Sequence, residues 1–150
     1  MKTLLALVFT LAFAFGPVLA DNDASTTEEV PKGALMIRTV PMPADTNPYG
    51  TVFGGWILGQ MDIAGSIIGT ERAQGHVVTV GVDKMSFLKP IHAGDAISIY
   101  ADITETGRTS ITVSLETWVQ RDRHGALIKA GEGIFTYVLI DANGVPKPLP

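Results

Sequence analysis

The sequence predicts an α+β domain in which one long helix packs on a single antiparallel sheet. Two observations carry this prediction. The segment 54–73 contains no proline, is largely apolar and has the length of a helix. Four segments rich in β-branched residues follow it, and most of them alternate apolar with polar side chains, which is typical of strands that bury one face.

The elements ahead of the helix are a strand and a loop. Residues 34–40 (ALMIRTV) form a short apolar run with one polar interruption, which favours a first strand. Residues 41–50 carry three prolines together with Asn47 and Gly50, so this stretch is predicted to be an irregular loop.

The predicted helix is unusual in its glycines and in carrying a single charge between residues 54 and 70. Each of its five glycines lowers intrinsic helix stability by about 1 kcal/mol relative to alanine, so the helix needs tertiary packing. The only charge between 54 and 70 is that of Asp62, and burying a carboxylate is costly unless it is paired or hydrogen-bonded. At 100° per residue, small residues share one narrow face with Asp62 in its middle: Gly55, Gly59, Ser66, Gly69 and Ala73. The other sides are apolar, so we expect the sheet to enclose the helix and Asp62 to point into the gap beside the small residues.

Four strands are predicted after the helix. The alternation of Ile97, Ile99, Ala101 and Ile103 and that of Ile111, Val113 and Leu115 are the clearest signals. The strands are placed at 76–90, 95–107, 108–122 and 126–141, with turns at 105–108, 122–125 and 143–144.

Composition excludes several classes of function. The chain has 150 residues, enough for one domain, and a net charge of −4 with no cluster of Lys and Arg, which argues against a nucleic-acid partner. It has no cysteine, which excludes disulfides, thiolate metal sites and cysteine nucleophiles. The histidines His76, His92 and His124 lack the spacing of metal ligands, so neither a metal nor a cofactor is predicted.

The N-terminus has a different character. Residues 1–20 combine a lysine at position 2, an apolar stretch and the small-residue ending Val18-Leu19-Ala20, which is typical of a secretory signal peptide. An uncleaved anchor helix is the alternative, but the apolar stretch is short for a membrane span. Residues 21–32 are polar and acidic, so we expect a flexible leader ahead of a domain at 33–150, and no membrane contact beyond the signal peptide.

Four stretches together resemble the hotdog-fold acyl-CoA thioesterases, in particular their bacterial broad-specificity branch. They are PADTNPYGTVFGGWILGQMDIAG, HVVTVGVDKMSFLKPIHAGD, TGRTSITVSLETWV and YVLIDANGVPKPLP, which spread over the whole proposed domain. The resemblance implies a long helix wrapped by a curved sheet and an acyl-CoA substrate. It also implies a homodimer or a trimer of dimers, with active sites at the subunit interface. Members of this family are usually cytoplasmic, which makes the cytoplasm the alternative to export.

The resemblance also assigns residues. Asp62 corresponds to the family's catalytic carboxylate, Asn47 to its loop asparagine, and Gly54 with Gly55 to the glycine pair that opens the helix. The loop departs from the family pattern at Tyr49 and Thr51, where Asn and Asp are common, which bears on acyl selectivity more than on the chemistry. For Asn47 the alternative is a turn residue that bonds its own backbone.

These residues suit thioester hydrolysis. The free amides of Gly54 and Gly55 at a helix N-terminus can stabilise an oxyanion, and the absence of a Cβ lets a carbonyl approach. Asp62 can activate water as a general base, or attack directly and form an anhydride. It lies about 10 Å further along the helix axis, so we expect a site built from two chains.

CoA phosphates call for cations and hydroxyls at the mouth of the site. The predicted binding residues are Arg108, Thr109 and Ser110 in a hairpin turn, together with Lys89. Lys84 and Lys147 are further candidates, and for each the alternative is an ordinary surface charge.

Two other functions stay open at this point. A hotdog dehydratase would rely on a histidine paired with an acid, and the predicted helix 54–73 contains no histidine. A non-catalytic module that binds acyl thioesters could use the same pocket without turnover, although the retained Asp62 and glycine pair favour catalysis.

Overall fold

The computed structural model describes residues 29–122 and 125–150. The predicted signal peptide, residues 21–28 of the predicted leader and His124 lie outside the described residues. Within the described part of the chain, no helix has the length and apolar character that crossing a membrane requires.

The described chain forms one helix and five strands in the predicted order. Strand β1 spans Ala34–Thr39, and a 3-10 turn at Pro43–Asp45 interrupts the loop that follows. Helix α1 spans Gly54–Ala73, which are the predicted bounds. Strands β2, β3, β4 and β5 span Val77–Phe87, Ala96–Thr106, Ser110–Gln120 and Ile128–Leu139. The α+β prediction is therefore confirmed.

The five strands form one antiparallel sheet with the order β1-β3-β4-β5-β2. Strands β1 and β2, which flank the helix in sequence, therefore lie at opposite edges of the sheet. The helix that connects them contacts all five strands. This topology puts β2 and β5 side by side next to the helix, and the candidate site is built there.

The core lies between the helix and the inner face of the sheet. Ile57, Met61 and Ala64 point from the helix into it and are buried. The sheet contributes the alternating side chains that the sequence indicated on β3 and β4, namely Ile97, Ile99, Ile111, Val113 and Leu115, and it adds Phe135 and Tyr137 from β5.

The sheet covers one side of the helix and leaves the other side open. Ile63 and Ile67 are 49% and 38% exposed, which differs from the expectation of a fully enclosed helix. The face of small residues is divided in the same way, since Gly69 is buried whereas Gly55 and Gly59 are exposed. The open part of this face thus contains Gly55 and Gly59, its two glycines closest to the helix N-terminus.

The opposite face of the sheet carries a buried charge cluster. Glu116 is 5% exposed and accepts hydrogen bonds from Lys129 Nζ (2.9 Å), Trp118 Nε1 (2.9 Å) and the Lys32 amide (3.1 Å). Lys129 also pairs with Glu29 and Glu132. Residues 29–32, the last four of the predicted leader, therefore contact the sheet, because their polar groups find partners in this cluster.

Candidate active site

A groove of about 310 Å³ runs along the open side of the helix next to Asp62. Its lining combines one carboxylate, one hydroxyl, two glycines and three apolar side chains, namely Asp62, Thr79, Gly55, Gly59, Leu58, Val82 and Phe135. The groove matches the gap beside the small residues that the sequence predicted for Asp62.

Two side chains of the sheet form hydrogen bonds to Asp62. Thr79 Oγ1 donates a hydrogen bond to Asp62 Oδ1 at 2.5 Å. The Tyr137 hydroxyl donates to the main-chain carbonyl oxygen of Asp62 at 3.1 Å and lies 3.5 Å from Oδ1. Among the described residues no donor reaches Asp62 Oδ2. One oxygen of the carboxylate is therefore fixed, and the other is available to a ligand or water.

Tyr137 remains a hydrogen-bond donor throughout the physiological pH range. Its side chain is fully buried, and burial raises the pKa of the phenol. The negative charge of Asp62 and the hydrogen bond to it raise this pKa further, while a hydrogen bond with Thr79 acts in the opposite direction. The ring reaches the helix because Gly65 has no side chain there, since a Cβ at this position would overlap the phenol.

The helix N-terminus opens toward the same groove. Phe53 precedes the helix without providing a side-chain cap, and the Gly54 and Gly55 amides have no acceptor among the described residues. A Cβ on Gly55 would meet no atom within 4 Å, whereas the space beside Gly54 is filled by the Phe87 ring. The free amides and the open space are what an oxyanion site requires.

Lys89 is the one predicted CoA-binding residue that lies near the helix N-terminus. It lines a second groove of about 310 Å³ together with Gly54, Phe87, Pro90 and Thr51. A cation and the positive end of the helix dipole therefore lie along the same groove.

Asn47 is occupied within its own loop. Its Oδ1 accepts hydrogen bonds from the amides of Tyr49 (2.9 Å) and Thr51 (3.3 Å), and its Nδ2 donates to Thr51 Oγ1 (2.8 Å). It lines neither groove. A single chain does not bring Asn47 to Asp62, and the geometry is that of a turn residue.

Arg108, Thr109 and Ser110 lie at the other end of the molecule. They form the β3–β4 hairpin, closed by a hydrogen bond from the Gly107 amide to the Ser110 carbonyl. Ser110 is level with the end of β5, where β2 begins, whereas the end of β2 packs on Gly54. Because a 20-residue helix is about 30 Å long, one chain does not combine this hairpin with Lys89.

The two described histidines stand apart from the groove. His76 precedes β2, and His92 lies beside Asp95 in the β2–β3 loop. Within residues 29–122 and 125–150, no three His, Asp or Glu side chains are grouped in a way that could hold a metal ion. Neither described histidine therefore lines the groove, where a dehydratase would need one.

Sequence reasoning missed Thr79 and Tyr137. Both belong to correctly predicted strands, but their function depends on β2 and β5 being neighbours and in register. Thr79 and Tyr137 are direct cross-strand partners, a pairing between residues 58 positions apart that single-strand patterns do not contain. The available signal was Gly65, a helix glycine outside the open part of the small-residue face.

Comparison with known proteins supports one family. A model described as the thioesterase superfamily matches residues 49–126. The acyl-CoA thioester hydrolase YciA of Escherichia coli K12 is 46% identical over 129 residues, which cover 84% of this chain and 98% of that protein.

Comparison with solved structures supports the same family. The hexameric thioesterase y2039 of Yersinia pestis has a TM-score of 0.77 at 50% identity and covers 81% of this chain and 98% of its own. The hexameric hotdog fold thioesterase Cj0915 of Campylobacter jejuni has a TM-score of 0.74 at 40% identity, with coverages of 79% and 91%. The single helix on a curved five-stranded sheet is thus a hotdog fold, and the chain belongs to the thioesterase superfamily.

Proposed function

We propose that this protein hydrolyses acyl-CoA thioesters to a free carboxylic acid and CoA. The observation that carries the proposal is Asp62, whose Oδ1 is bonded to Thr79 and which lines a groove together with Gly55 and Gly59. The name of the E. coli relative, an acyl-CoA thioester hydrolase, supports the same substrate class. The retained carboxylate argues against a module that only binds acyl thioesters.

Asp62 acts as the general base. Oδ2 takes a proton from a water molecule whose oxygen attacks the thioester carbon, and the carbonyl oxygen becomes negative. The amide of Gly55, assisted by that of Gly54, stabilises this oxyanion, a contribution of about 10²–10³ in rate for a single donor. The C–S bond then breaks, and the departing CoA thiolate takes up the proton.

Direct attack by Asp62 is the competing chemistry. It would form an anhydride that water then opens. Single-turnover hydrolysis in ¹⁸O-labelled water detects an anhydride that water opens at its Asp62 carbon, whereas opening at the acyl carbon would label the product as a general base does. A general base sends the label into the carboxylic acid product, whereas opening of the anhydride at the Asp62 carbon leaves the label on Asp62.

The complete site requires two chains. Gly55 and Asp62 are about 10 Å apart along one helix, which is too far for both to act on one carbonyl group. Strand β2 is an edge strand with exposed valines at 78, 80 and 82, and such an edge favours pairing with another strand. In a dimer joined along β2, the Gly55 amide of one subunit lies close to Asp62 of the other.

Residues far apart in one chain then contribute to one site. Lys89 lies near the helix N-terminus, while Arg108, Thr109 and Ser110 come from another subunit and contact the CoA phosphates. Asn47, whose Nδ2 carries a second hydrogen besides the one donated to Thr51, approaches the thioester from the subunit that supplies the oxyanion amides. The relatives described as hexameric support an assembly of three such dimers.

The N-terminal segment is proposed to direct export. Removal of residues 1–20 would leave residues 21–32 as a leader ahead of the domain at 33–150. N-terminal sequencing of the protein made in a bacterial host is expected to begin at Asp21. A sequence beginning at Met1 would contradict export through this segment.

The proposed reaction is tested by thiol release from a series of acyl-CoAs, from acetyl to palmitoyl, with the purified chain. Asp62→Asn keeps the shape of the side chain and should lower kcat by orders of magnitude. Asp102→Asn is the matched control, because that carboxylate is exposed on β3, which is not adjacent to the β2 edge of the sheet. Absence of turnover with every acyl chain, in a folded and oligomeric sample, would refute the proposal.

A further inference from the structure

Two neighbouring strands direct one hydroxyl each at the same carboxylate. Thr79 on β2 and Tyr137 on β5 are direct cross-strand partners, and side chains paired in this way leave the sheet on the same face. Thr79 reaches Asp62 Oδ1 at 2.5 Å, and Tyr137 reaches the Asp62 carbonyl oxygen at 3.1 Å and Oδ1 at 3.5 Å. The two hydroxyls therefore converge on one residue of the facing helix.

Two glycines of the helix make room for the side chain of Tyr137. A Cβ on Gly65 would overlap the phenol, and a Cβ on Gly69 would lie 3.7 Å from the base of the ring. Glycine lowers helix stability by about 1 kcal/mol relative to alanine at each such position. The two glycines form a notch in which the Tyr137 ring lies parallel to that of Phe135, at 18° and 6.5 Å between centroids.

The hydrogen bond from Tyr137 to the main-chain carbonyl of Asp62 also restrains the helix backbone. In a helix the carbonyl of Asp62 is already an acceptor for the amide one turn further on, so the phenol uses its second lone pair. This bond fixes the helix turn that carries Asp62, and the closer approach of Thr79 then fixes the rotation of the carboxylate. Among the residues that the structure describes, Asp62 is the only charged side chain in the groove lining, so no cation of this lining competes for Oδ1.

We propose that Tyr137 is a positioning residue for Asp62, and that with Thr79 it holds Oδ1 so that Oδ2 is the oxygen that meets the attacking water. This inference rests on the proposed hydrolase function. Tyr137 itself touches no substrate, since it is fully buried and the groove is lined by its neighbour Phe135.

The test compares four variants of the full chain with the wild type in acyl-CoA hydrolysis. Tyr137→Phe removes only the hydroxyl, and we expect kcat to fall by about tenfold with KM nearly unchanged, because one aligning hydrogen bond is lost. Thr79→Val should lower kcat further, and Asp62→Asn most of all. Tyr100→Phe is the matched control, because this phenol lies on the other face of the sheet, opposite Glu116, and should have no effect.

The pH profile separates positioning from a purely structural role. Loss of a hydroxyl that donates toward the carboxylate should move the acid limb of the kcat profile to higher pH in Tyr137→Phe and further in Thr79→Val. A structural role would lower the melting temperature and leave that limb in place.

The possible results are distinct. A Tyr137→Phe enzyme with the wild-type kcat and pH profile, beside an inactive Asp62→Asn enzyme, would overturn this inference and leave the proposed function intact. A wild-type protein without turnover would overturn both.

Discussion

The ring of Tyr137 occupies the space that a side chain on Gly65 would need. This relationship divides the helix glycines into two groups. Gly65 and Gly69 face Tyr137, and Gly54 faces Phe87, so packing within the chain accounts for them. A Cβ added at Gly55 or Gly59 would meet no atom within 4 Å. Contacts within the chain therefore do not explain these two glycines, and we infer that they leave room for another molecule. The two groups lead to opposite predictions for the same substitution.

Gly65→Ala is predicted to destabilise the protein. The added methyl group would force the fully buried phenol away from the helix, and overpacking of this kind lowers the free energy of unfolding by about 1–3 kcal/mol. Urea unfolding followed by circular dichroism measures the change. Unfolding at the wild-type denaturant midpoint would contradict the packing described here.

Gly59→Ala is predicted to separate stability from activity. Alanine is favoured over glycine in a helix by about 1 kcal/mol, and the position is open, so unfolding should need as much denaturant as in the wild type or more. The methyl group enters the groove beside Asp62, so kcat/KM should fall. Thr70→Ala, on an exposed helix position away from the groove, is the control that should leave kcat/KM unchanged. Equal activity of both variants would exclude the groove as the substrate path.

The fold was largely predictable because its signals are local. Helix α1 begins at Gly54 and ends at Ala73 as predicted, because Pro48 and Gly75 flank a largely apolar stretch without proline. The strands follow the alternation of Ile97, Ile99 and their counterparts. The exposure of Ile63 and Ile67 was not predictable, because an apolar side chain looks the same in sequence whether its own sheet or a second molecule covers it.

The candidate site was predictable only in part. Asp62 stood out as the lone charge between residues 54 and 70, and wheel geometry placed it correctly beside Gly55 and Gly59. Thr79 and Tyr137 could not be found, because their contact with Asp62 depends on the order of the strands in the sheet. Their roles and that of Asp62 remain predictions until the variants are measured.

Lys129→Met, in the buried charge cluster around Glu116, is predicted to destabilise the protein. It removes the cation beside the buried carboxylate of Glu116 while keeping the length of the apolar stem. Breaking a buried ion pair on one side typically lowers the free energy of unfolding by about 3–5 kcal/mol. Chemical denaturation at pH 7 tests this, with Lys84→Met, an exposed lysine on β2, as the control. The double variant Glu116→Gln with Lys129→Met should recover part of the loss.

The same cluster should make stability depend on pH in the acid range. Burial of Glu116 opposes its ionisation, but hydrogen bonds from Lys129, Trp118 and the Lys32 amide outweigh it, so the pKa of this carboxyl is lowered. A carboxyl whose pKa is lower in the folded than in the unfolded chain stabilises the fold above the unfolded value, about 4.3 for glutamate. That stabilisation is lost as the pH falls through the folded value.

The free energy of unfolding of the wild type should therefore exceed that of Glu116→Gln by a constant amount near neutral pH, and the difference should shrink below about pH 5. Urea unfolding at a series of pH values from 7 to 3 measures it. Glu105→Gln serves as the control, because the side chain of this exposed glutamate near the end of β3 has no hydrogen-bond or ion-pair partner among the described residues. A Glu116→Gln difference that persists unchanged to pH 3 would mean that the charge of Glu116 does not stabilise the sheet.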